Sequence, residues 1–152
     1  MKLAEALILR ADYQKRIEQL KQRLVRNAKV QEGDDPAENP TELLAEYERV
    51  SQQLVTSIQQ INKTNANTLL EGQLTIADAI AMRDGLRHKH GLYTALAEAA
   101  TITQERYSRS EVKFQSTLNV AQMQKQADDL ARQYRELDTK LQSANWVTDL
   151  QP

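Results

Sequence analysis

Apolar side chains recur at alternating steps of three and four residues over four long segments of the chain. This heptad spacing places them along one side of an α-helix. It predicts four helices, over residues about 3–28, 40–66, 75–107 and 119–144. Matched lengths and short connections favour antiparallel neighbours. The predicted fold is therefore all-α, a single domain over residues 1–152 arranged as a four-helix bundle or as extended helical hairpins.

Each predicted helix has its own heptad series of inward positions. The first helix carries Leu3, Ala6, Arg10, Tyr13, Ile17, Leu20, Leu24 and Asn27. The second carries Leu44, Tyr47, Leu54, Ile58 and Ile61. The third carries Ala79, Met82, Leu86, Lys89, Tyr93, Leu96 and Ala100. The last carries Val120, Met123, Ala127, Leu130, Tyr134, Leu137, Leu141 and Ala144. The third series keeps its phase across Gly91, which favours one continuous helix; a helix end at Gly91 is the alternative.

Capping residues mark where three of the helices begin. Asn39 precedes Pro40, a residue well suited to the first helical position, after a loop that contains Gly33 and Pro36. Thr75 precedes the third helix and Asn119 precedes the last. Side-chain oxygens at such positions accept hydrogen bonds from the free N–H groups of the first helical turn. We expect all three residues to act as N-caps.

A different pattern stands before the last helix. Val112, Phe114 and Leu118 alternate with polar residues at a period of two. That period is typical of extended backbone. The sequence predicts an extended arm or short strand over residues about 110–118.

Composition and charge narrow the classes of function. The chain contains no cysteine, so disulfides and thiolate metal sites are excluded. A formal net charge of −1 argues against a dedicated nucleic-acid-binding protein. No apolar run approaches the length of about 18 residues that a membrane span needs, and the first residues do not form a signal peptide. We expect a cytoplasmic helical protein that binds no nucleic acid and has no integral membrane segment.

The segment RDGLRHKHG contains the residue types most often found in active sites. Asp84 and His88 are four residues apart, so on a helix they share a face and could both contact one metal ion. That face lies opposite the predicted inward series of the third helix. The main interpretation is an exposed polar face without metal, and the alternative is a metal-dependent enzyme that uses these two residues. No cofactor is predicted.

Arg10 and Lys89 occupy heptad positions where an apolar side chain is usual. Long basic side chains commonly lay their carbon stems on apolar neighbours and extend the charged end into water. Two further hypotheses are that these cations are buried and hold an anion, or that they meet carboxylates across an oligomer interface.

Several segments resemble one bacterial family whose members often carry the label septicolysin. They are MKLAEALILRAD, NAKVQEGDDPAE, INKTN, LTIADAIAMRD, ADDLARQYRELD and LQSANW, which together extend over nearly the whole chain. The resemblance implies a small all-helical protein without an assigned role, and it supplies no catalytic or binding residues. The label itself implies a pore-forming, membrane-active protein.

The sequence favours a non-enzymatic helical protein that self-associates. Ile76 and Ile80 lie on a second face of the third helix, away from its predicted inward series. The arm that carries Val112, Phe114 and Leu118 has unpaired backbone edges. Both features favour contact with a further copy of the chain, so a homo-oligomer is predicted. The alternatives are the septicolysin-like membrane-active protein and the metal-dependent enzyme; no small-molecule ligand is assigned.

Overall fold

A computed structural model describes residues 1–102 and 112–152 of the chain. Its helices are α1 (Leu3–Arg26), α2 (Pro40–Asn67), α3 (Ile76–Ala100) and α4 (Val120–Val147). Two short strands, β1 (Leu69–Glu71) and β2 (Leu74–Thr75), form a hairpin between α2 and α3. The predicted all-α fold is confirmed.

The chain divides into two compact units. The terminal unit comprises Met1–Leu69 and Gln142–Pro152, and the central unit comprises Leu70–Leu141. The long helix α4 contributes residues to both units. Two compact units can belong to one domain or to two, so the single domain over residues 1–152 stays a prediction.

The core of the terminal unit lies between α1 and α2. Buried Leu20, Leu43 and Val50 form its centre, and four partly buried residues pack around them: Tyr13, Ile17, Leu24 and Tyr47. The two helices are antiparallel, because Arg16 pairs with Glu46 at 2.7 Å while Arg23, further along α1, pairs with the earlier Glu38. The predicted heptad series of α1 is confirmed, since every member is buried or half-buried.

The inward series of α2 differs from the predicted one by one residue at its start. Leu43 is 5% exposed, whereas Leu44, the predicted inward residue, is 51% exposed. The buried positions continue through Val50, Ser57 and Thr64. The adjacent leucines are equally apolar, and two of the buried positions are polar. The other predicted members are buried or half-buried, so the predicted phase holds apart from Leu44: Tyr47, Leu54, Ile58 and Ile61.

Residues after α4 pair with the start of α1. The Leu3 N–H donates to the Thr148 carbonyl, and the Leu150 N–H donates to the Met1 carbonyl, both at 2.9 Å. These bonds flank an antiparallel bridge between Lys2 and Asp149, whose side chains form an ion pair at 2.8 Å. The pairing satisfies a free N–H group of the first turn of α1.

The three predicted N-caps are confirmed. The Asn39 side chain accepts from the Thr41 N–H at 3.0 Å, and the Asn119 side chain accepts from the Gln122 N–H at 3.0 Å. The Thr75 hydroxyl accepts from the Asp78 N–H at 3.1 Å and donates to the Asp78 carboxylate at 2.7 Å. Each bond satisfies an N–H group that the helix itself leaves unpaired.

A two-residue turn, Gly72 and Gln73, closes the hairpin of β1 and β2. Gly72 has φ +54°, and in the described part of the chain only glycines, Gly33 and Gly72, have positive φ. Positive φ at the first central position alone matches a type II′ turn, in which glycine is favoured there. The sequence analysis did not predict this hairpin, because strands of three and two residues are too short to show a period.

The inward face of α3 differs from the predicted one. Ile76 and Ala79 are 0% exposed, and the half-buried or buried positions continue at Arg83, Leu86, His90, Tyr93 and Ala97. The predicted inward residues Met82 and Lys89 are instead exposed. Five of the seven predicted residues are buried or half-buried: Ala79, Leu86, Tyr93, Leu96 and Ala100. The two series differ where arginine and histidine occupy inward positions. A criterion based on apolar residues passes over those two positions.

The helix α3 runs through Gly91 without a break, as predicted, and ends at Ala100 with Thr101 as its C-cap. The predicted extension to residue 107 is wrong at residues 101 and 102, and residues 103–107 lie outside the described part of the chain. Residues 110 and 111 of the predicted arm also lie outside it. Residues 112–118 form coil without strand pairing, so an arm is present there but a strand is not.

Candidate functional site

The RDGLRHKHG segment contributes a polar cluster to the central unit, together with α4. The Arg83 Nη1 atom donates to the Asp138 Oδ1 atom at 2.9 Å, and one turn later the Arg87 Nη2 atom donates to the Tyr134 hydroxyl at 3.0 Å. Because the later residue of α3 meets the earlier residue of α4, the two helices run antiparallel here. Arg83, Arg87, Tyr134 and Asp138 are called the α3–α4 polar cluster below.

The ion pair between Arg83 and Asp138 is partly shielded from water. The side chains are 20% and 31% exposed, respectively. The Arg83 Nε atom is buried and makes no hydrogen bond within the described residues; the Asp84 Oδ1 atom stands 3.7 Å away, an ion-pair distance rather than a hydrogen bond. Partial burial strengthens the attraction between the charges and raises the cost of removing either partner.

Arg87 binds Tyr134 in two ways. Besides the hydrogen bond, its guanidinium carbon stands 5.5 Å from the centre of the tyrosine ring, within the range of a cation–π contact. The hydrogen bond to Tyr134 raises the pKa of Arg87, and the charges of Asp84 and Asp138 act in the same direction. The arrangement holds a permanent cation against α4, where it can fix the register of the two helices.

Asp84 and His88 lie on the more exposed side of α3. Asp84 pairs with Arg83, and His88 is exposed. Within residues 1–102 and 112–152, no group of three histidine, aspartate or glutamate side chains is placed to hold a metal ion. Three polar residues of this segment have partners: Arg83 pairs with Asp84 and with Asp138 of α4, and Arg87 with Tyr134 of α4.

The two predicted buried cations have different environments. Arg10 lies half-buried in the heptad series of α1, and its Nε atom is buried without a hydrogen-bond partner in the described ranges. Lys89 is exposed, so the hypothesis that it is a buried cation is wrong; a charged end that extends into water, the main interpretation, is compatible with this position. The inward cation of α3 is Arg83, which lies on the face that Ile76 and Ala79 define.

The predicted interface residues fall into two groups. Ile76 is 0% exposed, so its prediction as part of an oligomer interface is wrong: the true phase of α3 turns it inward. Ile80 is half-buried. The arm is different, because Val112 is 72% exposed, Phe114 84% and Leu118 40%.

The sequence analysis missed Arg83, Tyr134 and Asp138 as partners. One signal was available: counting the α3 heptad from Ile76 places Arg83 on the inward face. Tyr134 was already in the predicted series of α4, and Asp138 is its neighbour one turn later. Two antiparallel series with an arginine on one and a carboxylate on the other predict such a pair.

A family model described as a family of unknown function, DUF6847, matches residues 10–150. The chain belongs to this family. It is also similar to a crystal structure described as a functionally unknown conserved protein from Corynebacterium diphtheriae, at 46% identity. That likeness covers 99% of each chain with a TM-score of 0.94. Among curated proteins, none matches the chain. Neither matching description carries the septicolysin label.

None of the described helices combines the length and the apolar character that crossing a membrane requires.

Proposed function

We propose that the chain is a non-catalytic helical protein that associates with further copies of itself through the arm of residues 112–118. The observation that carries this proposal is the exposure of Phe114. It is the single phenylalanine of the chain, and 84% of it is accessible to solvent. Transferring such a side chain from water into an apolar contact is worth about 1.5–3 kcal/mol.

The neighbours of Phe114 extend the apolar surface. Val112 is 72% exposed and Leu118 40% exposed, and the backbone of residues 112–116 belongs to neither a helix nor a strand. Apolar side chains on a coil segment can adapt to a partner surface more freely than those fixed on a helix. An exposed apolar patch of this kind favours a protein–protein contact.

The α3–α4 polar cluster supports the non-catalytic part of the proposal. Its arginines are engaged by Asp138 and Tyr134 at hydrogen-bond distance. Groups that pair with each other across two helices stabilise a register. A catalytic site instead directs its groups at the position of a reacting atom.

The substitution Phe114→Ser tests the proposal by sedimentation velocity. Removing the apolar side chain should shift the self-association constant at least tenfold toward monomer, because a tenfold change corresponds to about 1.4 kcal/mol. Val147→Ser is the matched control, since Val147 is a largely exposed apolar residue, at 72%, but lies at the end of α4. Equal association of wild type and Phe114→Ser would contradict the role of the arm.

Membrane activity is the second candidate function, because the resemblance to proteins labelled septicolysin implies it and the exposed Phe114 could enter a bilayer surface. Release of a trapped dye from phospholipid vesicles measures it. This candidate predicts release by wild type and reduced release by Phe114→Ser. Vesicles that stay intact at high protein concentration would exclude it.

A further inference from the structure

A cleft of about 240 Å³ lies between α1 and α2 in the terminal unit. One wall is a polar stretch of α2 that contains Gln52, Gln53, Thr56, Ser57 and Gln60. Residues three and four apart on a helix share a face, so Gln53, Ser57 and Gln60 present their side chains along one line. The five residues of this wall together offer three side-chain amides and two hydroxyls.

Ser57 is the most buried residue of this wall. It is 8% exposed, and its hydroxyl makes no hydrogen bond within the described residues. Thr64, two turns later on α2, is 0% exposed and fully paired: its hydroxyl donates to the Gln60 carbonyl at 2.8 Å and accepts from the Gln151 N–H at 2.9 Å. Among the described residues, the buried side-chain polar atoms without a partner are Arg10 Nε and Arg83 Nε, so the Ser57 oxygen keeps access to solvent. The Ser57 hydroxyl, which lines the cleft, is available to a molecule bound there.

The opposite wall of the cleft is largely apolar. Leu9 and Tyr13 come from α1, and Met1 and Leu150 complete this side. The last two are held together by the hydrogen bond from the Leu150 N–H to the Met1 carbonyl at 2.9 Å. The pairing of residues 148–150 with the start of the chain therefore fixes one end of the cleft.

None of the lining side chains carries a formal charge. Such a cleft offers donors and acceptors on one side and carbon surface on the other, and among the described residues that line it the α-ammonium group of Met1 is the one formal charge. The cavity is also smaller than the pockets of about 300–1,000 Å³ that take drug-sized ligands. We propose that the cleft binds a small uncharged molecule that carries hydroxyl or amide groups on one face and carbon surface on the other.

Titration of the ¹⁵N-labelled full chain, followed by NMR, tests this site. The probes are methyl β-glucoside for hydroxyl chemistry, N-methylacetamide for amide chemistry and inorganic phosphate for an anion. One uncharged probe should shift the amide signals of Leu9, Tyr13, Gln53 and Ser57 together, with a dissociation constant on the order of 1 mM. Phosphate should not shift them.

Two variants make the test specific. Ser57→Val removes the hydroxyl and fills part of the cleft, and should weaken binding at least tenfold. Gln53→Ala alters an exposed residue, which keeps the fold secure, and should weaken binding about threefold, roughly 0.6 kcal/mol. Ser51→Val, on the same helix outside the cleft, is the matched control and should bind as wild type does.

Three results would overturn the proposal. They are the absence of shifts with both uncharged probes at about 50 mM, fifty times the expected constant; shifts at these residues with phosphate; and equal binding by wild type and Gln53→Ala. The outcome is separate from the self-association experiment, because Phe114 does not line the cleft.

Discussion

Arg83 brings a guanidinium group into a partly buried position of the central unit, where Asp138 accepts a hydrogen bond from it. A charge in such a position stabilises the protein only as long as its partner is present. Exposed ion pairs are worth much less, because water and salt screen them. Helix α4 takes part in pairs of both kinds, since its Arg132 and Asp129 pair on the exposed surface.

The substitution Asp138→Ala should lower the free energy of unfolding by about 1–3 kcal/mol, because it removes the carboxylate that accepts a hydrogen bond from the Arg83 guanidinium. Asp129→Ala, the matched control on the same helix, should cost less than about 1 kcal/mol. Urea unfolding followed by circular dichroism measures both. Equal losses would show that the Arg83 pair is no stronger than a surface pair.

The ion pair between Arg23 and Glu38 leads to a prediction about pH. The pKa of Glu38 lies below its ordinary value of 4.5, first because Arg23 donates hydrogen bonds to it. A carboxyl group whose pKa is lower in the folded protein stabilises the fold above its unfolded pKa. That contribution is lost as the pH falls through the lower, folded value.

Thermal unfolding between pH 6 and pH 2.5 should therefore show that wild type loses more stability below about pH 4.5 than Glu38→Gln does. The two proteins should converge at the acid end of the range. Glu48→Gln is the control, because Glu48 is an exposed residue of α2 with no ion-pair partner in the described part of the chain. Parallel curves for wild type and Glu38→Gln would contradict the interpretation.

At the scale of the elements, two glycines occupy opposite kinds of backbone. Gly91 lies inside α3, where glycine is a poor helix former. Gly72 lies in the hairpin turn with φ +54°. At both positions an added Cβ atom would meet nothing within 4 Å. Substitution by alanine therefore measures the contribution of backbone conformation to the free energy of unfolding, without a new contact from the added Cβ atom.

Gly91→Ala should raise the free energy of unfolding by about 0.5–1 kcal/mol. Gly72→Ala should lower it by about 1 kcal/mol, because an L-residue is strained at positive φ. The two shifts in urea midpoint should thus have opposite signs. A loss of stability in Gly91→Ala would contradict the continuous helix through that residue.

The elements differ in how far their sequences predict them. Helices α1 and α4 carry apolar residues at nearly every inward position, so spacing alone finds the correct face. In α3 the inward positions include Arg83 and His90, and in α2 they include Ser57 and Thr64. Two of them have partners far away in the sequence: Arg83 pairs with Asp138, and Thr64 accepts from the Gln151 N–H. Spacing cannot reveal such partners.

The candidate residues also differ in how far the sequence alone predicts their exposure and their partners. Phe114 could be identified from sequence, because an apolar residue between polar neighbours in a non-helical segment has few ways to be buried. Ile76 could not be, since its exposure depends on the true phase of α3. The pairing of Arg83 with Asp138 required the two helices to be placed side by side.

At the scale of the whole molecule, the segment after α4 is held within the terminal unit by bonds to the start of the chain and to α2. Residues 148 and 150 of this segment pair with Leu3 and Met1. In addition, the Gln151 N–H donates to the Thr64 hydroxyl at 2.9 Å. Lys63 adds a hydrogen bond to the Pro152 carbonyl at 2.9 Å. These bonds hold residues 148–152 against α2.

Thr64→Val keeps the side-chain shape and removes the hydroxyl, so it leaves the Gln151 N–H without its acceptor. The free energy of unfolding should fall by about 1–3 kcal/mol. Amide hydrogen exchange at residues 148–151 should also accelerate. Thr56→Val, at an exposed position of α2, is the control and should change neither quantity. Unchanged exchange in Thr64→Val would show that Thr64 does not hold the segment.

Multi-angle light scattering of the wild-type protein measures whether the chain self-associates. The chain has a mass of 17.3 kDa. Over a concentration series that extends into the micromolar range, we expect a weight-average mass that rises above this value toward a whole-number multiple. A mass that stays at that of one chain throughout the series would contradict this expectation.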